Sequence, residues 1–144
     1  MEKTFNILVI DGQGGRIGQQ LTEQLLAALP AARLVAVGTN SAATAAMRKA
    51  GARQCATGEN AVVVNARTAD VILGPLGIVI ADALLGEITP AMAGAVGSAP
   101  GKLVLIPVNR CDHLVAGTQG LAVGDCIRQA VEIVAELAEG RWGC

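Results

Sequence analysis

The chain has 144 residues, with 11 basic and 12 acidic side chains and a formal net charge of −1. A hydrophobic fraction of 52% against a charged fraction of 16% excludes a disordered chain. The near-neutral balance lacks the basic face that nucleic acid and anionic membranes need, so neither is an expected partner.

The length suits one domain over 1–144. Phe5 and Trp142 are its only aromatic residues, so the core is expected to be aliphatic. Met1-Glu2-Lys3-Thr4 does not read as a signal peptide, and the expected location is cytoplasmic. Val71 to Leu85 is the most apolar stretch, but it is too short for a bilayer and contains Gly74, Pro75, Gly77 and Asp82. Cys55, Cys111, Cys126 and Cys144 have wide, irregular spacings, so no metal site and no disulfide framework is expected.

Phe5 to Ile10 predicts a strand buried on both faces, ending at Asp11-Gly12. Ile17, Leu21, Leu25 and Leu29 form one helical stripe, stopped by Pro30. Leu34 to Val37 predicts a second strand. Asn40 or Ser41 caps the following helix, and Gly51 terminates it. Thr57 is the expected cap of a helix over Asn60 to Arg67, although Val62-Val63-Val64 also suits a strand. Val71 to Leu73 predicts a strand, and Leu76 to Leu85 a buried helix ending at Gly86. Thr89-Pro90 opens a further helix to about residue 96. Leu103 to Val108 is expected to be a central strand, with an edge strand over His113 to Ala116. Ile127, Val131, Val134 and Leu137 mark a last helix, capped by Asp125 and stopped at Gly140. Alternation of this kind predicts an α/β fold: one three-layer Rossmann-like domain whose mostly parallel sheet has about five strands.

Ligands of such sheets bind at the carboxyl ends of the strands. The segments there are Asp11 to Arg16, Gly38 to Ser41, Gly74 to Gly77 and Asn109 to Asp112. The first follows a strand and opens a helix, the context of a phosphate-binding turn. Gly12 makes the turn, and Gly14 or Gly15 admits a phosphate to backbone amides. The helix start at Arg16 and Ile17 favours the anion, and Gly18 allows close helix packing. Asp11 either hydrogen-bonds the loop amides or holds a metal through water.

No carboxylate lies between Glu23 and Glu59 to hold a ribose. Thr39, Asn40 and Ser41 are therefore expected to hold a 2′-phosphate or a mononucleotide, which favours NADP over NAD. Pro75 and its neighbours, with Asn109 and Arg110, complete the cleft, and Arg110 supplies a fork for an anion. Cys111, beside Arg110 and His113, is the candidate nucleophile. Glu59 and Glu87 read as charges that complement helix starts.

Gly14 to Gly18 resembles the phosphate loop of dihydrodipicolinate reductases, but the chain lacks their histidine-rich catalytic stretch. Short-chain dehydrogenases are excluded, since their catalytic pair needs a tyrosine. Several longer stretches resemble a bacterial domain-of-unknown-function family of short Rossmann-like proteins. They are Val9 to Gly15, Gly38 to Asn40 with Lys49 to Ala52, Ala56 to Asn60, Gly74 to Ile78, Leu85 to Pro90 and Leu105 to Cys111. The resemblance implies the fold and a shared ligand site, and no activity.

The expected function is therefore binding of a phosphate-bearing nucleotide, NADP first, with oxidoreduction as one activity. A hydrolase or transferase of a phosphorylated metabolite, using Cys111 or a metal at Asp11, is the alternative. A ligand sensor or assembly subunit is the other. A homo-oligomer is expected, since a dimer would build a fuller site.

Overall fold

The first apolar run forms β1 (Asn6–Asp11) in a computed structural model that describes residues 3–108 and 113–142. Ile7 and Val9 pack into one core, and Leu8 and Ile10 into another. A strand covered on both faces needs no polar alternation, which explains its unbroken apolar sequence.

Next come α1 (Arg16–Ala28), β2 (Arg33–Gly38) and α2 (Ser41–Lys49). Leu21 and Leu25 bury the stripe of α1. Asn40 caps α2 by accepting the Ala43 amide at 2.9 Å. Gly51, with φ 119°, lies just past its end. They are followed by β3 (Gln54–Thr57), α3 (Glu59–Ala66) and β4 (Val71–Pro75). After a single 3-10 turn over Leu76–Val79 come α4 (Pro90–Gly97), β5 (Lys102–Ile106) and α5 (Val123–Ala138). Thr89 caps α4 by accepting the Met92 amide at 3.1 Å.

The sheet order is β3-β2-β1-β4-β5, and every pairing is parallel. One core holds Leu21, Leu25, Met47, Ile127, Val131 and Val134, from α1, α2 and α5. The other holds Val62, Ile78, Met92 and Val96, from α3, the 3-10 turn and α4. The result is a three-layer α/β fold of the expected class. The two halves of the chain leave β1 in opposite directions, so a crevice opens between the ends of β1 and β4.

Several local expectations are corrected. Thr57 ends β3 and does not cap α3; the cap is Gly58. β3 carries no unbroken apolar run because it is a four-residue edge strand, partly exposed along its length. The Val62-Val63-Val64 run is helical, with Val62 buried and Val64 exposed. Leu76 to Leu85 is not a helix. Beyond the 3-10 turn the chain loops, with Asp82, Leu84 and Leu85 all at positive φ. Ile78 and Ile88 are buried and pin both ends of that loop. An apolar run without periodicity does not distinguish this arrangement from a helix. β5 lies at the sheet edge, not its centre. His113 makes an isolated bridge in place of a strand. Ala122 caps α5, and Asp125 lies in its first turn, paired with Arg128.

Candidate functional site

A cavity of about 560 Å³ opens at the crevice between β1 and β4, a volume typical of small-molecule sites. One wall is the β1–α1 turn, from Asp11 to Ile17. The other is Pro75, Leu76 and Gly77 with the loop residues Ile80 and Asp82 to Leu85. Val108 and His113 close the β5 side.

The turn is built by backbone geometry. The Gly15 amide donates to Gly12 O at 2.9 Å, with Gln13 at φ 49° and Gly15 at φ 74°. A Cβ on Gly15 would stand 2.8 Å from Ala43 Cα, whereas one on Gly14 would meet nothing within 4 Å. Gly14 therefore leaves open space at the cavity wall, and Gly15 is needed by the fold. At Gly18 a Cβ would lie 2.7 Å from Met47 Sδ and 2.8 Å from Asp11 Cβ, so glycine lets α1 approach β1 and α2.

Asp11 is 5% exposed and lies beneath the turn. Its Oδ1 accepts the Gly12 amide at 2.8 Å and its Oδ2 the Gly18 amide at 2.7 Å. Burial pushes its carboxyl above the ordinary range. The Gly18 and Gly12 amides oppose that shift, and the charge of Glu87 adds to it. The loop-amide reading of Asp11 describes this geometry, since one amide occupies each oxygen. Among the described residues, no group of three or more His, Cys, Asp or Glu side chains could hold a metal.

Glu87 is the residue that sequence reasoning undervalued. Its Oε1 accepts the Thr39 hydroxyl and the Asn40 amide group, each at 2.6 Å, and the Gln13 backbone amide at 2.9 Å. Burial acts upward on its pKa, but the Thr39, Gln13 and Asn40 donors outweigh it and hold the carboxyl below the ordinary range. Glu87 thus joins the β1–α1 and β2–α2 loops to the segment that walls the cavity. That segment closes on itself: the Asp82 amide donates to Ile88 O at 2.7 Å and the Ile88 amide to Ala83 O at 3.1 Å. The signal in the sequence was the Leu85 to Pro90 stretch, which carried a family resemblance but not the contact.

Of the expected site residues, Asp11, Gly12, Gln13, Gly14, Gly15, Arg16, Ile17 and Pro75 all line the cavity. Thr39 and Asn40 stand away from it and bind Glu87. Ser41 is the exposed first residue of α2. Gly74 is buried in β4, where a Cβ would meet Ile10 O at 2.3 Å. Asn109, Arg110 and Cys111 lie outside the described residues.

The model of the family described as "Domain of unknown function (DUF3842)" matches residues 6–139. No curated protein matches the sequence. Among solved structures, the fold is similar to a dodecameric FMN-dependent Ubix-like decarboxylase from Escherichia coli O157:H7. The identity is 18% and the TM-score 0.52, over 96% of this chain and 99% of that one. NADP is corrected on this ground. The similar structure is of an FMN-dependent protein, and the Thr39 and Asn40 groups meant for a 2′-phosphate are held by a carboxylate. No helix among the described residues is long and apolar enough to cross a membrane.

Proposed function

Since the chain belongs to the DUF3842 family, whose description assigns no activity, we propose from its cavity that it binds a phosphate-bearing mononucleotide of the flavin type. The observation that carries this reading is the pairing of walls across the cavity. The glycine turn and the start of α1 face a surface that includes Leu76, Ile80 and Leu84. A phosphate suits the turn, where Gly14 leaves open space and the helix start favours an anion. A planar ring system suits the aliphatic wall.

The fold similarity to an FMN-dependent protein agrees with this assignment. Asp11 and Glu87 take the Gly12, Gln13 and Gly18 amides. The phosphate is left to the neighbourhood of Gly14 and Arg16. When bound, a flavin would supply redox or adduct chemistry through its ring. The residues described here bind and orient it. We place the protein in the cytoplasm as a homo-oligomer, in line with the dodecameric state of the structurally similar protein.

Titration with FMN, monitored by calorimetry and by flavin fluorescence, tests the reading. Saturable binding of one FMN per chain is expected. Absence of binding at about 1 mM, a free energy of only about −4 kcal/mol, contradicts it. Light scattering of the eluting protein reads the oligomeric state.

A further inference from the structure

We infer that Glu87 sets the size class of the ligand: its side chain occupies the end of β2, where the adenosine half of a dinucleotide would lie, and restricts the cavity to mononucleotides. This inference rests on the mononucleotide reading of the cavity and extends it to selectivity.

In doubly wound sheets a dinucleotide straddles the switch point. Its pyrophosphate crosses the glycine turn, and its second ribose is held by polar groups near the end of the next strand. In this chain those groups are the Thr39 hydroxyl and the Asn40 amide, and both already donate to Glu87 Oε1 at 2.6 Å. The route across the turn is filled as well. A Cβ on Gly12 would stand 2.6 Å from Thr39 Oγ1, 2.8 Å from Leu84 Cδ1 and 3.1 Å from Glu87 Oε1. No residue of the β2–α2 connection lines the cavity. A ligand reaching β2 would have to displace Glu87, leaving the Thr39 hydroxyl and the Gln13 amide without their acceptor and the Asn40 amide group with the Gln13 carbonyl alone. These donors are half-buried, and losing an acceptor there penalises binding.

The test compares FMN, FAD and ADP on the wild type, on Glu87→Ala and on Glu87→Gln. ADP probes the adenosine position without a flavin. The wild type should bind FMN at least about tenfold more tightly than FAD, a difference of about 1.4 kcal/mol, and should not bind ADP. Glu87→Ala should narrow the FMN-to-FAD ratio and admit ADP. Glu87→Gln keeps the volume and an acceptor oxygen, so it should keep the preference. Its thermal melt also separates a folded from an unfolded variant.

Equal FMN and FAD affinities in the wild type overturn the inference and leave the mononucleotide site standing. Binding of FAD or ADP that Glu87→Ala abolishes overturns it too, because Glu87 would then hold a ribose. If no flavin binds to any form, the proposed function fails and ADP decides the inference. ADP binding gained in Glu87→Ala supports it, and ADP binding to the wild type or to neither protein overturns it.

Discussion

Asp11 Oδ2 accepts the backbone amide of Gly18 at 2.7 Å, across the whole glycine turn. With Oδ1 on the Gly12 amide, one carboxyl ties the last residue of β1 to both ends of the turn. Asp11→Ala leaves two amides without acceptors at a buried position and should destabilise the fold by about 1.5–3 kcal/mol. Urea unfolding of the two proteins measures the difference.

Gly14 and Gly15 should respond oppositely. Gly14→Val meets no atom with its Cβ, so the fold should survive while the phosphate approach is filled and FMN binding is lost. Gly15→Val places a β-branched residue at φ 74° against the Ala43 backbone and should cost about 2 kcal/mol or more. Thermal melts set beside FMN titrations separate the two effects.

The two site carboxyls should give opposite pH signatures. Glu87 is lowered in the fold from its ordinary 4.5. Its contribution is complete above 4.5 and is lost as pH falls through the folded value. The advantage of wild type over Glu87→Gln should therefore shrink on acidification below 4.5. Asp11 is raised from 3.8. It carries no penalty below 3.8, and a cost grows as pH rises through its folded value. Relative to wild type, Asp11→Asn should therefore gain stability as pH rises above 3.8. Melting temperatures of the three proteins between about pH 3 and 7 read both slopes.

Leu85 is 95% exposed and holds φ 56°. Its side chain buries almost nothing to offset a left-handed backbone that costs about 1–2 kcal/mol. Leu85→Gly relieves that strain and should raise stability by up to about 1 kcal/mol, once the greater freedom of glycine in the unfolded chain is deducted. A lower unfolding midpoint would show that the exposed side chain stabilises the loop.

The fold was legible where burial writes itself into sequence. β1 reads as an apolar run because both its faces are covered, and α1 and α5 read as stripes because each has one wet face. The Asp11 to Ile17 turn was legible because a strand, clustered glycines and a helix start occur together. β3 was not, because a short, partly exposed edge strand leaves no pattern. The 80–88 loop was not, because its shape depends on Ile88, Glu87 and closed backbone hydrogen bonds. Glu87 itself was read as a helix-start charge, since its partners Gln13, Thr39 and Asn40 lie 74, 48 and 47 residues away. Thr39 and Asn40 were correctly placed at a strand end, but their polar groups were assigned to a ligand when a side chain of the same chain already holds them.

Calorimetric titration of the wild type and Gly14→Val with FMN tests the mononucleotide site built on the glycine turn. Saturable binding of one FMN per wild-type chain is expected, and none to a Gly14→Val protein that melts like the wild type. A wild type that fails to bind FMN at about 1 mM, or a folded Gly14→Val variant that binds it as tightly as the wild type, would contradict it.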